Sequence, residues 1–109
     1  MMIITDNIEI YEISYKKFRS LVDKWSKHEN IDHLLFLSKS KNKYLVLDNE
    51  AGECFVEEFD NKDKALCWLI RKDYGANEIV GLQDVEIRKL LSDENYKIIS
   101  SGKEVFYGI

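Results

Sequence analysis

LDNEAGECFVEEFDNKD, Leu47 to Asp63, sets seven acidic residues around Phe55 and Phe59 and carries one lysine, Lys62. Its polar centre, NEAG (Asn49 to Gly52), reads as a hairpin turn in which Gly52 can supply the positive φ that such turns need. The flanking segments YLVL (Tyr44 to Leu47) and ECFVEEF (Glu53 to Phe59) are then antiparallel strands. Pairing across this turn puts Asp48 opposite Glu53, Leu47 opposite Cys54, Val46 opposite Phe55, Leu45 opposite Val56, Tyr44 opposite Glu57 and Lys43 opposite Glu58. One face becomes Leu45, Leu47, Cys54 and Val56, a core face. The other becomes Tyr44, Val46 and Phe55, with Phe59 beyond, an aromatic patch that marks an interface if nothing covers it. A bulge at Gly52 would move the register by one and exchange the partners.

Most of these acids have a local role on this reading. Asp48, Asn49 and Glu50 lie at a solvated turn. Asp60 or Asn61 caps a following helix, and Asp63 falls in its first turn, where the helix dipole favours a carboxylate. Glu58 is placed to pair with Lys43 across the strands. Glu53 and Glu57 have no such structural role.

Working outward, IEIYEI (Ile8 to Ile13) reads as a strand. Ser14 offers an N-cap, and Phe18, Leu21, Val22 and Trp25 form a helical stripe, so a helix is expected from Tyr15 to His28. HLLFL (His33 to Leu37) is a buried strand and SKSKNK (Ser38 to Lys43) a turn. After the acidic stretch, Ala65, Leu66, Trp68, Leu69 and Ile70 form the apolar side of a second helix, with Gly75 as its stop. ANEIVG is a short turn before a third helix from Leu82 to Leu91, whose early acids and late bases suit the helix dipole. YKIIS and KEVFYGI then form a terminal hairpin. The expected fold is a single α+β domain over residues 1–109: a mainly antiparallel sheet of four to six strands with two or three packed helices. Phe18, Leu21, Val22 and Trp25 should cover one side of the sheet, and Leu66, Leu69 and Ile70 the other side or the same one.

The whole chain of 109 residues suits one domain and carries a net charge of −4. That charge is uneven, because Asp48 to Asp63 holds −6 and the remainder is +2. No apolar run approaches the roughly 20 residues of a membrane span, and the start MMIITDNIEI is too short and acidic for a signal peptide. Cys54 and Cys67 are too few for a disulfide scaffold. A cytoplasmic protein with reduced thiols is expected. The chain has no proline and abundant lysine, isoleucine and asparagine, as AT-rich codons produce, which suits a low-GC bacterium or its phage.

Motifs for chemistry are absent. A calcium loop needs alternating carboxylates, a glycine and a glutamate at its twelfth position, but Asp48, Glu50 and Gly52 lead to Phe59. Cys54, Cys67, His28 and His33 lack the close cysteine pair of a zinc knuckle, and Cys67 within ALCWLI reads as a small buried hydrophobe. No GxSxG, Walker A or GxGxxG occurs. Neither an enzyme nor a cofactor or metal is expected.

The order helix, three strands, helix from Tyr15 to Lys72 resembles the topology of double-stranded-RNA-binding domains, over about half the chain. The resemblance implies that the SKSKNK loop enters the minor groove and that Lys62 and Lys64 stand for the basic cluster that opens the second helix. The glycine-proline-x-histidine loop and the lysine run of that family are missing, and Asp60 and Asp63 stand where phosphates would lie. The strand-strand-strand-helix portion also resembles the arm-site DNA-binding domains of integrases, and the last two helices with the terminal hairpin suit a winged helix. In the latter, LQDVEIRKLL balances Asp84 and Glu86 against Arg88 and Lys89, a poor composition for a phosphate-lined groove.

The leading expectation is a small interaction protein that binds a basic surface on a partner protein, the role of an immunity protein, antitoxin or phage inhibitor. Asp48, Glu50, Glu53 and Glu57, with Tyr44 and Phe55, would form the contact, and charge complementarity would speed association. The alternative is nucleic-acid binding through Lys39, Lys41, Lys43, Lys62 and Lys64.

Overall fold

A computed structural model describes residues 7–100. Strand β1 (Ile8–Glu12) runs into helix α1 (Tyr15–Ser26), capped by the Ser14 hydroxyl, which accepts the Lys17 N–H at 3.1 Å. The apolar stripe faces inward: Phe18 and Leu21 are buried and Val22 half-buried, while Trp25 at the helix end stays 41% exposed. His28, with φ of 64°, lies in the left-handed region just past the helix. The helix carries the chain back to the end of the sheet from which β1 began. Strand β2 (Leu35–Ser40) therefore lies parallel to β1, with Ile10 beside Leu35 and Glu12 beside Leu37.

This parallel pair corrects the expectation of a mainly antiparallel sheet. Strands β3 (Lys43–Asp48) and β4 (Phe55–Phe59) extend β2 as an antiparallel meander. Helices α2 (Lys62–Ile70), α3 (Ala76–Val80) and α4 (Asp84–Ser92) then bring the chain to β5 (Tyr96–Ser100), which pairs in parallel with β1 on its free side. The result is a five-stranded mixed sheet in the order β4-β3-β2-β1-β5, in an α+β fold. A strand-helix-strand unit cannot close as a hairpin, and the sequence pattern alone does not say whether its strands pair with each other. Because β5 joins this sheet beside β1, the first strand expected for a terminal wing is instead, among the described residues, the edge strand of the main sheet opposite β4. Its expected partner, KEVFYGI, lies outside the described residues.

The helices cover both faces. On one, α1 packs through Phe18 and Leu21 on Ile13, Phe36 and Leu47. On the other, Leu66, Leu69 and Ile70 of α2, with Ile79, Ile87 and Leu91 from α3 and α4, pack on Ile10, Leu35, Leu37, Val46 and Phe59. The α1 and α2 stripes thus lie on opposite sides, and the helix–three-strand–helix order from Tyr15 onward encloses the sheet between its two helices. Among the described residues four helices form where two or three are expected, because ANEIVG is helical. Gly75 does not stop α2, which ends at Ile70. It is instead the N-cap of α3, where its N–H donates to the Glu78 carboxylate at 2.8 Å. The same device starts α4, where the Gln83 N–H donates to Glu86 at 2.9 Å.

The β3–β4 register also differs from the expected one. Leu47 faces Val56, Leu45 faces Glu58 and Tyr44 faces Phe59, a slip of two residues. A slip of two keeps each side chain on its expected face but changes every partner, so Glu58 does not meet Lys43. The cause is a longer connection, residues 49–54, with left-handed backbone at Gly52 (φ 80°) and Cys54 (φ 51°). Asn49 holds this connection in place. Its side chain is buried, donates from Nδ2 to the carbonyls of Ile31 (3.2 Å) and Asp32 (3.0 Å), and accepts the Cys54 N–H at 3.0 Å. The amide thus ties the α1–β2 loop to the β3–β4 loop. Cys54 is left outside the strand and half-buried rather than in the core.

Replacing Asn49 with alanine removes both donors and the acceptor and leaves buried backbone groups unpaired. Asn49→Ala should lower stability by about 2–4 kcal/mol. Urea denaturation followed by circular dichroism measures this, with Glu53→Ala as a surface control expected to stay within about 0.5 kcal/mol.

Candidate partner-binding surface

The sequence FVEEF gives each face of β4 one acidic residue, beside two apolar residues on one face and one on the other. Phe55, Glu57 and Phe59 point to the α2 side, and Val56 and Glu58 to the α1 side. Only Phe59 is buried, 3% exposed, and it anchors the strand in the core. Phe55 is 53% exposed and Val56 41%, and Glu57 and Glu58 are exposed. The α2 face is therefore not bare: Val46 and Phe59 are buried there, Tyr44 is half-buried, and only Phe55 of the expected aromatic patch stands open. Strand β4 ends the sheet, and among the described residues nothing pairs with its outer edge.

The acidic residues separate into two groups. Asp48 and Glu50 are both engaged by Lys72 from beyond the end of α2, Glu50 at 3.1 Å and Asp48 through a short contact. The second Asp48 oxygen accepts the Glu50 N–H at 3.0 Å. Their two charges are partly offset by this one lysine. Glu53, Glu57, Glu58, Asp60 and Asp63 make no ion pair among the described residues, and of these Glu57, Glu58 and Asp60 follow one another along β4 and its exit. Tyr44 lies at the opposite end of the hairpin from the 49–54 loop, with the Lys39 ammonium 5.6 Å from its ring centre. Phe55 and Glu57 thus share one face of β4 with Glu53 just before the strand, Asp48 lies directly opposite Phe55 but is held with Glu50 by Lys72, and Tyr44 lies at the far end of the hairpin. Val56 and Glu58 are the members that sequence reasoning missed. The available signal was the adjacent pair Glu57-Glu58, since neighbouring strand residues face opposite ways and two adjacent charges leave neither face dry.

The lysines collect at the other end of the sheet. The register sets Ser40 beside Lys43 and Tyr44 beside Phe59, so the β2–β3 turn, the end of β4 and the start of α2 share one edge. Lys39, Lys41, Lys43, Lys62 and Lys64 are gathered there, with Lys41 in a left-handed turn conformation. Three of them are occupied: Lys39 on Tyr44, Lys62 with Glu12 at 3.9 Å, and Lys64 donating to the Val80 carbonyl at 3.2 Å. Glu58, Asp60 and Asp63 stand among them.

His28 and His33 line a cleft of about 290 Å³ with Trp25, Glu29, Asn49 and Gly52, closed on one side where the Trp25 indole N–H donates to the Gly52 carbonyl at 3.0 Å. Among the described residues no group of three or more histidine, cysteine or acidic side chains could hold a metal ion. None of the described helices is long and apolar enough to cross a membrane. Family models, curated proteins and solved structures offer no match to the chain.

Burial pushes the thiols of both Cys54 and Cys67 above the ordinary cysteine value. A raised value means less thiolate at neutral pH, hence a poorer nucleophile. In the native protein at pH 7.5 (about 1 unit below the free thiol), Cys67 should stay unreactive to a chromogenic disulfide reagent and Cys54 should react slowly. Both should react fully in denaturant.

Proposed function

We propose that the protein is a small interaction module whose β4 edge binds a basic surface on a partner protein. The observation that carries this reading is the state of β4 itself. Two apolar side chains and two unpaired acids stand exposed on a strand whose outer edge carries no partner among the described residues. Monomeric sheets usually shield such an edge, and the acids keep it from sticking indiscriminately while favouring a positively charged partner. Glu53, Glu57, Glu58 and Phe55 are the contact residues, with Val56 beside them. The role is that of an inhibitor or immunity-type protein rather than of an enzyme.

Nucleic-acid binding through Lys39, Lys41, Lys43, Lys62 and Lys64 is the competing reading, supported by their convergence on one edge of the sheet. It is weakened by the acids between them and by the contacts that already hold three of the five.

Selection from a random peptide library on the immobilised protein separates the two readings from each other and from no function at this strand. Enriched sequences should be rich in lysine and arginine. Their binding should fall by about tenfold or more on the Glu57→Lys, Glu58→Lys double reversal, and also weaken at high salt. Enrichment without basic bias, or binding indifferent to the reversal, contradicts the proposal. Duplex RNA or DNA binding that persists near physiological salt and depends on Lys41 and Lys43 favours the competing reading.

A further inference from the structure

We infer that the partner engages β4 as an added sixth strand, and that its sequence carries two adjacent basic residues next to two adjacent apolar ones. This rests on the acidic-edge reading above and specifies its geometry. The backbone supplies the first reason. Strand β4 pairs with β3 along Phe55–Phe59 on one side, so every second residue turns its N–H and C=O outward, away from the sheet. Those groups are an extended row of donors and acceptors that another strand can satisfy.

The side chains supply the second. Cross-strand neighbours on one face interact most strongly when directly opposite. On the α2 face an incoming strand meets Phe55 and then Glu57, and on the α1 face Val56 and then Glu58. Its residues opposite Phe55 and Val56 are therefore apolar, and those opposite Glu57 and Glu58 are lysine or arginine. Each pair is adjacent in the incoming sequence because Phe55-Val56 and Glu57-Glu58 are adjacent here. An antiparallel arrival reads basic, basic, apolar, apolar; a parallel arrival reads the reverse. The pattern departs from simple strand alternation, so it distinguishes strand addition from contact with a merely basic surface.

Charge also decides between possible occupants. A second copy of the chain pairing antiparallel about the middle of β4 sets Glu57 against its own counterpart and keeps the Glu58 carboxylates nearby. Like charges directly opposite destabilise a strand pair. The edge is thus built against itself and for a basic strand. The far side of the contact is shaped for the same guest: α1 packs on Phe36 and Leu47 but leaves Val56 open and Leu45 half-buried, so an apolar residue opposite Val56 extends that face.

The test is a nuclear magnetic resonance titration of the isotope-labelled full chain with two octapeptides, one containing KKVI and one containing IVKK. Each is matched by a version N-methylated at alternate backbone positions, which keeps charge and side chains but removes strand hydrogen bonding. The expected result is that one order binds, shifts the amides of residues 55–59, and slows exchange of the outward-facing ones. Its N-methylated version should bind at least about tenfold more weakly, as should the Glu57→Lys, Glu58→Lys protein. Equal binding of the methylated and unmethylated peptides, still lost on charge reversal, overturns strand addition while leaving the acidic reading intact. Binding of neither order also overturns strand addition, and the library selection then judges the acidic reading separately. Concentration-dependent protection of the β4 amides without peptide assigns the edge to a second copy and overturns the proposal.

Discussion

The parallel pairing of β1 with β2 through α1 is the constraint from which the rest of the fold follows. A parallel neighbour requires a crossover, and α1 provides it on one face of the sheet. That face is then occupied near β1 and β2. The meander β2-β3-β4 grows away from the crossover and ends in an edge, while the chain returns across the opposite face through α2, α3 and α4 to place β5 beyond β1. Both faces of the central strands are buried, which explains why Leu35, Phe36 and Leu37 are apolar in succession rather than in alternation. By β4 the cover from α1 has run out, and FVEEF is the sequence expected of a strand that is wet on both faces except at Phe59.

The second determinant is the side chain of Asn49. A buried amide with every bond made to backbone acts as a splice between two loops that are distant in sequence. It stabilises the left-handed turn at Gly52 and Cys54 and so fixes where β4 begins. Lys72 reinforces the same corner from outside by holding Asp48 and Glu50, although exposed ion pairs of this kind contribute little, roughly 0–1 kcal/mol. The corner is therefore structural, and the acids that remain available to a partner are those further along the strand and its flanks.

How much of this was legible in the sequence depended on whether the controlling interaction was local. The Ser14 cap and the Phe18, Leu21, Val22 part of the stripe specify α1 and act as read, whereas Trp25 stays largely exposed and donates to the Gly52 carbonyl instead of covering the sheet. Asn61 caps α2, accepting the Lys64 N–H at 2.8 Å, one of the two caps anticipated. The face assignment of β3 and β4 also held, because side-chain alternation is a property of each strand. The partners did not, because the register depends on Asn49 reaching Ile31 and Asp32, a contact no local pattern announces. Gly75 misled for a related reason: glycine serves at helix starts and helix stops alike, and Glu78, three residues on, decides between them. The parallel pairing was invisible because strand partners are chosen by the whole topology. Of the candidate surface, Glu53 and Glu57 were legible as residues without a structural role and Phe55 as part of an aromatic patch, whereas Val56 was assigned to a core face through its pairing with Leu45 and the face it shares with Leu47.

The central claim is that β4 is an open edge held in a register fixed by the 49–54 loop. Residue-resolved amide hydrogen exchange on the free protein at low concentration tests it most directly. The account predicts strong protection throughout β1, β2 and β3, and an alternating pattern in residues 55–59, with every second amide slow and the others exchanging near the solvent rate. Uniform protection along β4 would contradict it, because the edge would then already be covered.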